Sequence, residues 1–153
     1  MASWLMLALV AAAVAQGPWP AVRPGDSRAQ VTADFPSEPS SIEFADARPG
    51  LNLPDQQLGG EQFAARVHFD GQDRVEDIVL QSVKRDTGVR LEALTADLRQ
   101  RLGGEPVCHD YMGYLDSTEC GWNIGDIQVS LMYLDGIRYI TIAKAGPLRP
   151  ARR

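Results

Sequence analysis

The stretch WNIGDIQVSLMYLDGIRYITIAK, residues 122–144, holds three runs of strand-forming residues separated by Gly125-Asp126 and Asp135-Gly136. Asp-Gly between two apolar runs is a strong hairpin signal, because a two-residue primed turn needs positive φ at both central positions. A turn at Asp135-Gly136 also sets a register. Leu131 falls opposite Ile140 and Val129 opposite Ile142, while Ser130 faces Thr141 and Met132 faces Tyr139 on the reverse side. The first face is apolar enough to pack on a helix. The second is mixed, and Met132, Leu134, Ile137 and Tyr139 form its apolar and aromatic part. Such a patch is either covered by another element or displayed as a candidate binding face.

Upstream, Leu91, Leu94, Leu98 and Leu102 recur at helical spacing within 89–102, which predicts an amphipathic helix with Gly103 just past its end and Pro106 preventing continuation. Further back, Phe63, Ala65, Val67 and Phe69 alternate with Gln62, Ala64, Arg66 and His68. That alternation predicts a half-buried strand with His68 on the solvated side, joined through the turn at 70–73 to a second strand over 75–83. Ser27, with Gln30 three residues on, predicts the start of a short helix that Pro36 ends. The Pro-, Gly- and acid-rich stretch 37–61 reads as loop, with at most a brief strand at 41–44. All strand pairings in this reading are local and antiparallel. The fold class is therefore α+β, an antiparallel sheet or meander packed against short helices, in one domain over 22–146.

Both cysteines lie in CHDYMGYLDSTEC, residues 108–120, beside one of the two histidines. A catalytic dyad is disfavoured because adjacent side chains on an extended backbone diverge, whereas a thiolate and its base must meet. A zinc site would need the close C-x2-C clamp, which is missing. In an exported chain the pair reads as a disulfide between Cys108 and Cys120, with Cys120 on the inward side shared by Trp122. The carboxylates at Asp70, Asp73, Glu76 and Asp77 do not follow the EF-hand pattern, since Gln72 and Arg74 stand at ligand positions. No catalytic residue, metal ligand or cofactor motif is singled out.

Residues 1–15 read as a signal peptide: an apolar run from Trp4 to Ala15, too short to span a bilayer, ending in the small-x-small pattern Ala13-Val14-Ala15. The expected location is periplasmic or secreted, without stable membrane insertion once the signal is cleaved. The formal charge is −5 and only two residues are lysine, which disfavours a nucleic-acid partner. Residues 147–153 read as a basic flexible tail.

The segment VRPGDSRAQVTADFPSEP, residues 22–39, resembles the opening motif of small exported bacterial proteins of the BamE/SmpA type and of the beta-lactamase inhibitor protein. Gly25, Ser27 and Val31 carry the likeness, and a second copy near Thr87 to Leu98 keeps the helix without the glycine-led start. The resemblance implies two helix-plus-sheet repeats, 22–84 and 87–146, whose broad sheet face binds another protein. The expected function is an exported, non-catalytic protein-binding module of the bacterial cell envelope, acting on an envelope or extracellular protein. A secreted inhibitor of a hydrolase and a small periplasmic hydrolase are the alternatives.

Overall fold

The computed structural model describes residues 19–86, 91–111 and 117–146. The expected signal peptide 1–15, the expected tail 147–153, residues 89 and 90 of the expected second helix and the middle of the cysteine loop lie outside them. Helix α1 spans Arg28–Asp34, followed by strands β1 (Leu51–Leu58), β2 (Glu61–Phe69) and β3 (Val75–Ser82); helix α2 (Glu92–Leu102) precedes β4 (Val107–Tyr111), β5 (Ser117–Ile124), β6 (Ile127–Leu134) and β7 (Ile137–Lys144). The strands form one antiparallel sheet in the order β1-β2-β3-β7-β6-β5-β4. The architecture is α+β with the sheet dominant.

The register read from the hairpin dipeptide is the one present. Leu131 pairs with Ile140, Val129 with Ile142, Ser130 with Thr141 and Met132 with Tyr139, and Asp135 and Gly136 both hold positive φ. The β2–β3 hairpin also forms as expected, with Val67 opposite Ile78 and Ala65 opposite Leu80.

Three expectations are corrected. The pairings are not all local: β3 pairs with β7, Ile78 meeting Ile142 and Leu80 meeting Ile140, so the two antiparallel halves share one seam. The 37–61 stretch is not all loop, since β1 occupies Leu51–Leu58, while 41–44 is irregular. Strand β1 escapes a periodicity reading because it is an edge strand that accommodates Pro54; the register shifts between Leu53 and Gln56, which leaves Pro54 and Asp55 out of the ladder. Finally, His68 is not solvated but buried, 2% exposed.

Both helices lie on one face, over the apolar core. Ser27 Oγ accepts the Gln30 N–H at 3.3 Å to start α1, which buries Val31. Arg28 extends from this helix over the Phe69 ring at 4.1 Å and pairs with Asp73 at 2.8 Å. Helix α2 buries Leu94 and Leu98 and ends at Gly103, whose φ of 77° suits a residue without Cβ. It is seated on the β1–β2 turn. The Gly59 N–H donates to Asp97 Oδ2 at 2.7 Å, and a Cβ on Gly59 would lie 2.6 Å from Leu94 Cα. Beneath the helices sit Phe63, Val67, Leu80, Trp122, Val129, Leu131, Ile140 and Ile142, each 2% exposed or less. Trp122 places its polar edge at the rim, its Nε1 donating to the Gly104 carbonyl at 2.9 Å.

Candidate functional site

Among the described residues the reverse face of the sheet carries no helix, and its two halves differ. Over β2 and β3 the connector 36–50 lies across it. Phe44 enters this face and is 6% exposed, with the Arg66 guanidinium 4.3 Å from its ring centre. The Ala45 N–H donates to Gln81 Oε1 at 3.0 Å, and Ser41 Oγ donates to Asp55 Oδ2 at 3.0 Å. This is why β2 is buried on both faces, with Ala64 and His68 as inaccessible as Phe63 and Val67.

An ion-pair cluster seals one end of the covered half. His68 Nδ1 lies 2.6 Å from Asp77 Oδ1; a carboxylate only accepts, so Nδ1 donates. The other Asp77 oxygen accepts from Arg48 at 3.0 Å, and Arg48 also pairs with Asp46 at 2.7 Å. The Arg48 guanidinium holds the Asp46 carboxyl down to about 2, with Arg48 itself raised by the same partner. In the hairpin turn, Asp70 accepts the N–H groups of Arg74 and Gln72, which lower its pKa. The acidic run from Asp70 to Asp77 is thus engaged residue by residue: Asp70 in its turn, Asp73 by Arg28, Glu76 and Asp77 by Arg48.

A His–Asp pair invites a general-base reading, but a base must reach the proton it takes. His68 Nε2 is buried and has no hydrogen-bond partner, so in this arrangement the imidazole is closed off from any substrate.

Over β5, β6 and the outer part of β7 no connector among the described residues lies across the reverse face. Met132 is 38% exposed, and Leu134, Ile137 and Tyr139 are each partly exposed. The register brings these four together, Met132 beside Tyr139 and Leu134 beside Ile137, as two adjacent cross-strand pairs. Val107 on β4 lies on the same face through Gly121 and Ser130, and at 65% it is more exposed than Met132. The sequence-derived binding residues therefore form one patch, flanked by a covered half that shows what the same face looks like when occupied.

Cys108 and Cys120 are opposite each other on β4 and β5 with their sulfurs 2.11 Å apart, at disulfide distance. They lie on the helix-bearing face, where Cys120 is 4% exposed, so the pair ties the edge strand β4 to β5 on the side that carries α2. A surface hollow lined by Leu91, Glu92, Thr95 and Arg99 of the helix side opens onto them.

One polar centre has no counterpart in the sequence reading. Arg138 shares its side of β7 with Ile140 and Ile142 and is 1% exposed. Its Nη1 donates to the carbonyls of Gly136 at 2.8 Å and Asp86 at 3.2 Å, and its Nη2 donates to the Lys84 carbonyl at 3.1 Å and to Glu61. A hollow of about 350 Å³, lined by Gln57, Gly60, Glu61, Gln62, Lys84 and Asp86, lies over this end of the sheet. Both terminal nitrogens are taken up by carbonyls and a carboxylate, and only Nε is buried without a partner, so the guanidinium ties the 84–86 turn to the β1–β2 hairpin rather than offering an anion site. The parity of Arg138 with Ile140 and Ile142 was the signal that could have revealed it.

No group of three or more His, Cys, Asp or Glu side chains among the described residues is arranged to hold a metal ion, and none of their helices is long and apolar enough to cross a membrane. No protein-family model matches the chain, and no curated protein matches it. Among solved structures it is similar to a DUF4309 family protein, YjgB, from Bacillus subtilis subsp. subtilis str. 168, at 11% sequence identity and a TM-score of 0.45, covering 85% of this chain and 84% of that one.

Proposed function

We propose that the chain is an exported, non-catalytic protein-binding module of the bacterial cell envelope, periplasmic or secreted, that engages an envelope or extracellular protein through the open half of its reverse sheet face. The observation that carries this reading is the contrast within one face. The connector 36–50 and Phe44 cover the β2–β3 half, while beside it Met132 is exposed and Leu134, Ile137 and Tyr139 are partly exposed, with no described connector across them. An apolar and aromatic patch on a rigid sheet, bounded by polar residues such as Gln128 and Thr141, matches the anatomy of a protein-binding surface. The apolar run at 4–15 and the paired cysteines support export.

The test is Met132→Asp with Tyr139→Asp, followed by affinity capture from envelope extract. Both side chains lie off the core face, so the double variant should keep its fold by circular dichroism and lose partners that the parent retains. Undiminished capture by the folded variant would overturn the assignment of the patch.

A further inference from the structure

The two edges of the sheet are unlike. Strand β1 is blunted by Pro54, which lacks an N–H, and by the irregularity between Leu53 and Gln56. Strand β4 contains neither proline nor lysine, pairs continuously with β5, and is anchored there by Cys108 and Cys120. Among the described residues no strand lies on its outer side.

The phase of β4 follows from one distance. Cys108 and Cys120 are opposite with their Cα atoms 4.0 Å apart, the close spacing of a non-hydrogen-bonded antiparallel pair. Residues 107, 109 and 111 therefore direct their N–H and C=O groups to β5. Residues 108 and 110 direct theirs to the open edge.

From this phase we infer that β4 is a self-association edge, at which a second copy of this chain pairs antiparallel through Cys108 and Asp110. A two-fold axis normal to the sheet at His109 places residue 108 opposite residue 110 of the second copy and 110 opposite 108. Both are then hydrogen-bonded pairs, giving about four new backbone hydrogen bonds without a bulge or a slip. His109 meets its own copy, and Val107 meets residue 111 of the second copy. The same axis keeps like faces together. The two open patches then lie on one side of a continuous sheet, with Glu119 and His109 of each copy between them, and Val107 loses much of its 65% exposure. A second copy fits this edge because the outward groups repeat about their own centre.

The pairing strand is short and the chains are both acidic, so association falls in the micromolar range and strengthens with salt. The experiment is sedimentation equilibrium of the oxidised protein from 1 to 300 µM, with the parent, Asp110→Pro and Val107→Lys. The expected result is a weight-average mass that rises toward twice the monomer's in the parent and stays at the monomer's value in Asp110→Pro. That proline removes an outward N–H and none donated to β5. Val107→Lys is expected to weaken association at least tenfold. Unchanged circular dichroism and an undiminished melting temperature confirm that each variant keeps its fold. A parent that stays monomeric up to 300 µM, or a dimer untouched by both substitutions, overturns the inference. Neither outcome bears on the open patch as a site for another protein.

Discussion

Replacing Arg138 by Met tests whether the buried guanidinium holds this end of the sheet together. The substitution preserves much of the volume and the straight stem but removes every donor. Three carbonyls, those of Lys84, Asp86 and Gly136, lose a partner, and Glu61, with its side chain 20% exposed, loses its counter-charge. At about 1 kcal/mol for each of three bonds to neutral acceptors and about 2 for the charged one, the loss is about 5 kcal/mol. Water entering through the hollow above Glu61 offsets part of this, which places the expected cost at about 3 to 5 kcal/mol. That is a large fraction of a typical domain's stability. Arg138→Lys should cost about 2 kcal/mol, because a single ammonium cannot reach acceptors arranged for a planar fork. Adding Glu61→Gln to Arg138→Met should recover about 1 to 2 kcal/mol, since it removes the stranded carboxylate. Urea unfolding followed by tryptophan fluorescence gives these values from the shift in midpoint at constant slope. A loss below about 1 kcal/mol for Arg138→Met, or no recovery in the double variant, would refute the assignment.

The glycine contacts supply an internal comparison. Gly59→Ala meets the Leu94 backbone and strains a φ of 57°, so about 3 kcal/mol should be lost in urea unfolding; Gly60→Ala, with φ 78° but nothing within 4 Å, should lose only about 1. Asp46 has a folded-state pKa of about 2 against an ordinary 3.8, so its contribution is complete above pH 5 and is lost as the pH falls through the interval from 4 to 2. Because Asp46 and Arg48 are partly solvated, that contribution is on the order of 1 kcal/mol, and Asp46→Asn should flatten the acid limb of the stability profile by this amount. Replacing both Cys108 and Cys120 by Ser opens a loop with a sequence separation of 12 and should lower stability by about 3 kcal/mol, measured by the same unfolding experiment.

The meander was legible in detail because its signals are local. Asp135-Gly136 dictates a turn, and the turn dictates which residues are opposite. The leucine spacing of α2 and the cap at Ser27 were legible for the same reason. The seam between β3 and β7 was not, since nothing in either strand names its distant partner. Strand β1 was hidden by Pro54 and by side chains suited to an edge. His68 read as solvated because alternation assigns a side of the strand, while only the connector carrying Phe44 decides whether that side meets water. That Met132 pairs with Tyr139 and Leu134 with Ile137 on one side of the hairpin was legible, since turn and parity alone group them. Arg138 carried the parity of a core position and the chemistry of a surface one, and such a conflict marks a buried ion pair.

The seam between β3 and β7 also governs the order of events in folding. The paired residues lie roughly sixty positions apart, so closing them carries a large loop entropy and makes this step slow relative to either hairpin. Until β7 has been synthesised, β3 is an apolar strand with a free side, open to pairing with other chains. A nascent chain ending near Leu134 would expose both β3 and β6, the two strands that β7 bridges. Aggregation should therefore peak in chains truncated just before β7 and decline once Ile140 and Ile142 are present, so the last strand acts as a kinetic gatekeeper.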